Sequence, residues 1–115
     1  MKYTVHLNDL LLSEAGSVPR QLESFSLLSL GIIASLTNGS ISPAGAIEYF
    51  FHAQNCRFVR KLKNKLADEI MGRGVQLPDL FDVLPTDRAR KEFERELDTM
   101  RALCLRLLGK RQLVA

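Results

Sequence analysis

The segment from Ser24 to Phe51, SFSLLSLGIIASLTNGSISPAGAIEYFF, decides the fold of this 115-residue chain. Its first half belongs to a predicted helix over residues 18–37, whose leucines and isoleucines point in nearly every direction around the axis. A helix that is apolar on all sides must be buried on all sides. We therefore expect this central helix to be wrapped by the other elements.

Turn and capping signals divide the segment into two helices. Asn38-Gly39 is a pair that tolerates positive φ and is typical of a helix end. Ser42-Pro43 is an N-cap followed by proline at the first helical position. These signals predict a second helix over residues 43–51.

Apolar spacing predicts two further helices, at about 57–71 and 87–108. Gly72 and Gly74 are expected to end the first of them, because glycine favours helix ends. Residues 75–85 then form a connector with a proline near each end.

The amino-terminal residues 2–7 alternate apolar and polar side chains, with the period of a half-buried strand. No partner strand is evident, and a lone strand is unstable, so the alternative is a helix that continues through residues 10–12. The predicted fold class is all-α. It is a compact helical bundle around the central helix 18–37, in one domain spanning 1–115, with a strand at 2–7 left open.

Composition and charge exclude several classes of protein. With 46% hydrophobic and 25% charged residues, the chain is typical of a globular protein rather than a disordered one. No apolar run reaches the roughly 20 residues of a membrane span. The amino terminus also lacks the apolar core of a signal peptide. We therefore expect a cytoplasmic protein with no membrane partner, and the isolated Cys56 and Cys104 fit a reducing compartment.

Residues that could support catalysis do not cluster in the sequence. His6 and His52 are the only histidines, and neither lies at helical spacing from a second metal ligand. Neither a nucleophile motif nor a glycine-rich phosphate loop is present. Carboxylates over residues 92–98 alternate with cations, as on a solvated helix face. We therefore predict a protein that is not an enzyme and needs no cofactor and no metal.

The strongest local anomaly is a basic face on the predicted helix 57–71. Between Glu48 and Asp68 the sequence has no acidic residue, so the cations of this face lack a neutralising partner on their own helix. The alternative is an ordinary solvated surface. The partner-binding candidates are the cations Arg57, Arg60, Lys61 and Lys65, followed by the acidic pair Asp79 and Asp82.

A helix-turn-helix is one alternative interpretation. Helix 43–51 would precede a basic recognition helix that enters a DNA groove. The predicted link from Phe51 to Arg57 is longer than the usual three- or four-residue turn. Nucleic acid is therefore the less favoured partner.

The segment from Leu28 to Phe51 resembles a pattern of small bacterial helical proteins. In that pattern an apolar helix with Leu-Gly near its middle is followed by a Gly-x-Ile-Ser turn and a second helix that ends in an aromatic pair. The matching positions are Leu30, Gly31, Gly39, Ile41, Ser42, Ala46, Phe50 and Phe51. The whole chain is similar to the immunity proteins that accompany contact-dependent growth-inhibition toxins of Gram-negative bacteria.

This resemblance implies a protein that neutralises a cognate toxin domain by covering its active site or a partner surface. Immunity proteins against basic nuclease toxins are commonly acidic, whereas this chain has a formal charge of +3. The resemblance then implies an acidic partner surface, or a local contact through Asp79 and Asp82. A structural module that forms a homodimer is a third function left open.

Overall fold

Six α-helices and one short 3₁₀ helix make up the regular structure of residues 4–112, the part of the chain that the computed structural model describes. The helices are α1 Leu7–Leu10, α2 Val18–Thr37, α3 Pro43–Tyr49, α4 Ala53–Arg60, α5 Lys65–Val83 and α6 Thr86–Gln112, with the 3₁₀ helix Leu12–Glu14 after α1. The predicted all-α class is confirmed. None of these helices is both long and apolar enough to cross a lipid bilayer.

Helix α2 has the predicted bounds, and capping residues stand at both of its ends. Ser17 accepts a hydrogen bond from the Arg20 N–H at the start of the helix. Just after its end, Gly39 has a φ of 80°, which glycine adopts without strain. The helix therefore begins and ends where the local chemistry of the sequence places it.

The prediction that α2 is buried on every side is wrong. Leu22, Phe25 and Ile33 are buried in the core, whereas Leu27 is 56% exposed and Gly31 is also exposed. The reason lies in the packing, because α2 contacts mainly α6 and touches α3 and α5 less. One face of the helix is left uncovered.

The predicted helix 43–51 ends earlier than expected, and another helix follows almost at once. Helix α3 ends at Tyr49, and a link of three residues precedes α4, which begins at Ala53. His52 is the N-cap of α4, since its Nδ1 accepts a hydrogen bond from the Asn55 N–H at 3.4 Å. Histidine is not among the usual capping residues, which is why the sequence did not reveal this helix start.

The predicted helix 57–71 is in fact two helices, α4 and α5, joined by residues 61–64. Lys63 lies in the left-handed region, with a φ of 56°, which breaks the helical path. Asn64 then caps α5 by accepting a hydrogen bond from the Ala67 N–H. This cap supplies the local reason for the new start.

The prediction of a helix end at the glycines and a connector over 75–85 is wrong, because α5 continues to Val83 through Gly74 and Pro78. Gly74 is buried, and the Phe51 ring lies directly over its backbone. Glycine at this position allows a close approach between a helix and a ring rather than ending the helix. Helix α6 likewise extends beyond the predicted 87–108 at both ends.

Residues 4–7 do not form the predicted strand, and the other two residues of that prediction, Lys2 and Tyr3, lie outside the described residues. The Val5 N–H donates to the Tyr49 carbonyl at 2.8 Å, and α1 begins at Leu7. The helical alternative therefore describes this segment better than the strand.

The core lies where α2 and α5 pack on α6, while α3 and α4 pack on α5. Phe25, Phe50 and Phe51 form its aromatic centre. The rings of Phe25 and Phe50 are stacked with centroids 6.2 Å apart, and those of Phe50 and Phe51 meet edge to face at 5.2 Å. Burying each such side chain contributes about 2 kcal/mol or more, so this cluster is a main source of stability.

Candidate partner-binding site

The four predicted cations lie at the corner between α4 and α5. Arg57 and Arg60 belong to α4, Lys61 is the residue after it, and Lys65 opens α5. All four are exposed. Lys63, which the sequence analysis did not single out, is exposed between them, so we call these five residues the basic corner.

The cations of the basic corner have no anionic partner among the residues that the structure describes. By contrast, Arg73, Arg95 and Arg101 each form an ion pair. Arg73 bonds to both Glu69 and Glu96, at 2.8 and 2.6 Å. A surface with unpaired charges of one sign attracts ligands of the opposite sign.

The backbone of Lys63 gives the corner a second unusual feature. Its φ of 56° lies in a region where a β-carbon is strained by about 1 kcal/mol, and where glycine or asparagine is usual. A lysine here carries a cation at the expense of local stability. The sequence contains one indication of this break, because Asn64, a residue type that favours N-caps, lies in the middle of the predicted helix.

A groove of about 480 Å³ lies between α1 and α4, beside the basic corner. Its α1 wall carries Asn8 and Asp9. The α4 wall carries Gln54, Arg57 and Lys61. The groove therefore presents exposed hydrogen-bond donors on one wall and both donors and a carboxylate on the other.

Asn55 fixes the two walls of this groove to each other. Its Oδ1 accepts from the Leu7 N–H at 2.9 Å, and its Nδ2 donates to the carbonyls of Val5 and Phe50 at 2.9 and 2.7 Å. The Asn55 side chain is buried, so these bonds are shielded from water. The Asn55 side chain thus ties the start of α1 to α4.

Both histidines lie beside the contact between α1 and α4. His52 lies with its Nε2 2.7 Å from the Val5 carbonyl, to which it donates, while its Nδ1 accepts from the Asn55 N–H. The ring of His6 is 5.5 Å from that of His52. In residues 4–112, no group of three or more histidine, cysteine, aspartate or glutamate side chains is placed to hold a metal ion.

Asp79 and Asp82 are exposed on the later turns of α5. At 1.5 Å per residue, Asp79 lies roughly 20 Å along the helix from Lys65. The structure therefore does not bring the acidic candidates to the basic corner. They also lie towards the carboxyl end of α5, where the helix dipole does not favour a carboxylate.

The two thiols are not poised for chemistry at neutral pH. Burial raises the pKa of Cys104 to about 12. Burial also raises the pKa of Cys56, against the opposing effect of Arg60 and Arg57 nearby. A reactive cysteine needs a lowered pKa, so neither thiol has the character of a nucleophile.

Comparison with known proteins gave no match, whether to a protein-family model, to a curated protein or to a solved structure.

Proposed function

We propose that this protein acts by binding an acidic surface of another protein through its basic corner, and that the partner is a toxin domain of a contact-dependent growth-inhibition system. The observation that carries the proposal is the group of five exposed cations, none of them paired within the described residues. The similarity of the whole chain to immunity proteins, given in the sequence analysis, supplies the kind of partner.

Neutralisation of this kind requires no reaction. Complementary charge speeds the encounter between the two proteins, and a few anchoring side chains at the centre of the interface hold the complex. The bound protein then blocks the toxin's active site, or the surface on which the toxin binds an activating partner. Each of these effects needs only a preformed surface.

The test is co-expression with the carboxy-terminal domain of the protein encoded by the gene directly upstream. We expect the two chains to co-purify and the growth defect caused by the toxin domain to be relieved. Reversing two charges of the corner, Arg57→Glu with Lys61→Glu, should weaken the complex. The matched control reverses two exposed charges on α6, Arg88→Glu with Lys91→Glu. If the unaltered chain forms no complex with this domain, the proposal is contradicted.

A DNA-binding protein is the second candidate, and one observation favours it. The link between α3 and α4 is residues 50–52, three residues long, as in a helix-turn-helix. However, α3 and α4 pack on α5 rather than mainly on each other. A gel-shift series at increasing salt tests for DNA binding, because phosphate contacts make the affinity for DNA fall steeply with salt. A complex with duplex DNA at low salt that disappears at high salt favours this candidate.

An oligomerising module is the third candidate, and the uncovered face of α2 favours it. Leu27 is 56% exposed there, and residues 24–47 contain no charged side chain. Light scattering after size exclusion distinguishes a homodimer from a monomer. A stable homodimer that binds no toxin domain supports this alternative.

A further inference from the structure

We infer that the groove between α1 and α4 seats an acidic peptide segment of the partner, with a side-chain carboxylate on Arg57 and Lys61 and a backbone N–H on Asp9. This inference rests on the proposed function and specifies the chemistry of its central contact. The groove has a volume of about 480 Å³, enough for a few residues of an extended chain.

The cationic half of the site lies on α4 and on Lys61, the residue that follows it. Arg57 and Lys61 are four residues apart, so they occupy the same side of the helix, and both are exposed and line the groove. Gln54 precedes them on that side and adds a neutral donor. A guanidinium and an ammonium close together are suited to a carboxylate, which accepts several charge-assisted hydrogen bonds.

The opposite wall decides which kind of anion fits. Asp9 lines the same groove from α1, is exposed, and has no ion pair among the described residues. A nucleic-acid phosphodiester offers only acceptors and negative charge, so Asp9 repels it. A peptide offers both a carboxylate for the cations and N–H donors for Asp9, and therefore satisfies both walls.

The groove is formed before any ligand arrives. Asn55 bonds to Val5 and Leu7 and so holds α1 at a fixed distance from α4. Phe58 is half-buried in the lining and provides an apolar surface for the aliphatic part of a glutamate side chain. Binding in a preformed groove loses less conformational entropy than binding that must first order the site.

The experiment titrates the isotope-labelled full chain with a capped synthetic peptide of glycines with one central glutamate and follows amide chemical shifts. A peptide with glutamine in place of glutamate is the control ligand. We expect the glutamate peptide to shift the amides of residues 6–9 and 54–61. Replacing both cations, Arg57→Gln with Lys61→Gln, should weaken binding about 10-fold or more, whereas Arg88→Gln with Lys91→Gln should leave it unchanged.

The Asp9→Asn variant distinguishes a peptide from a phosphate ligand by the direction in which its binding affinity changes. If a peptide N–H is bonded to the Asp9 carboxylate, this variant binds the glutamate peptide several-fold more weakly, because a charged acceptor becomes neutral. If the groove instead accepts phosphate, the variant binds a short DNA duplex more tightly. Circular dichroism confirms that the variants fold, as substitution of exposed residues predicts. Tighter binding by Asp9→Asn, or an absence of shifts in the groove with the glutamate peptide, overturns the inference.

The outcomes separate this inference from the proposed function. A toxin domain that binds the chain equally well with and without Arg57→Gln and Lys61→Gln contradicts the groove but not the neutralising role. A glutamate peptide that binds in the groove while the toxin domain does not bind contradicts the neutralising role but not the groove.

Discussion

The backbone of Gly74 lies against the ring of Phe51 so closely that a β-carbon at position 74 would be 2.5 Å from the Cδ1 and Cε1 atoms of the ring. Phe51 is 1% exposed and belongs to the aromatic centre of the core. The ring therefore cannot turn away into solvent to make room. Gly72 lies two residues earlier on the same helix, and a β-carbon there would point into open space.

These two glycines give a matched pair of stability predictions. Gly74→Ala should lower the free energy of unfolding by about 2 kcal/mol, since the added methyl overpacks the core. Gly72→Ala should raise it by about 0.5–1 kcal/mol, because alanine favours a helix and meets no obstacle. Urea denaturation of both variants measures the difference. Equal effects of the same sign would contradict the close packing of Phe51 on α5.

The second prediction concerns Asn55. Asn55→Ala removes the buried bonds that it makes with Val5, Leu7 and Phe50, leaving the Leu7 N–H and the Phe50 carbonyl without their side-chain partner. We expect a loss of about 3 kcal/mol in unfolding free energy. Hydrogen exchange of the Leu7 amide should become much faster. A variant with unchanged Leu7 exchange would show that α1 is held by other contacts.

Two buried serines of α2 provide the third prediction. Ser26 donates to the Leu22 carbonyl at 2.9 Å, whereas the Ser29 hydroxyl is buried with no hydrogen-bond partner within the described residues. Ser29→Ala should therefore stabilise the protein by about 1 kcal/mol, since it removes an unsatisfied polar group and improves helix propensity. Ser26→Ala is the control and should gain less. Thermal unfolding measures both, and a larger gain for Ser26→Ala would contradict the assignment.

The fourth prediction follows from the raised pKa of Cys104, about 12 in the folded chain. Above about pH 9 the unfolded chain releases this thiol proton while the folded chain keeps it. Folding then binds a proton, so stability falls as the pH rises from about 9 towards 12. Unfolding free energy measured across this range should fall less steeply in Cys104→Ala. Equal slopes for both proteins would contradict the prediction.

Alkylation tests the burial of Cys104, from which the fourth prediction follows. In the folded protein Cys104 is fully buried, whereas Cys56 is partly exposed. Iodoacetamide near pH 8 should therefore modify Cys56 slowly and Cys104 only after denaturant is added. Mass spectrometry of the peptides identifies the modified site. Rapid modification of Cys104 without denaturant would show that α6 opens locally.

The fifth prediction links stability to binding at Lys63. Lys63→Gly relieves the left-handed backbone at a φ of 56°, so it should raise the free energy of unfolding by up to about 1 kcal/mol. The same change removes a cation of the basic corner and should weaken binding to an acidic partner. Lys63→Asn is a second variant with the same expected signs. Calorimetry with the proposed toxin partner tests the affinity, and unchanged affinity would remove Lys63 from the proposed interface.

Much of the helical pattern could be predicted from local residues. The caps Ser17 and Ser42 act on N–H groups three residues away, so their effect is visible in the sequence itself. The all-α class follows from such signals and from the helical spacing of apolar residues. The break at Lys63 and the cap at His52 were missed because neither residue type is usual in its position.

The candidate site was predicted only in part. The cations Arg57, Arg60, Lys61 and Lys65 stand out because the surrounding sequence has no acid. Asp9 could not be connected with them, because its distance along the chain hides its place on the opposite wall of the groove.

The sequence by itself determined the helical class, the bounds of α2 and the run of cations, because each depends on side chains within a turn or two of one another. Only the tertiary structure decided that α5 continues through Gly74 and Pro78, that one face of α2 is uncovered, and that α1 stands beside α4. These features depend on the Phe51 ring and the Asn55 amide, which act on residues far away along the chain. Contacts of that kind form only when the helices pack, and so no local pattern records them.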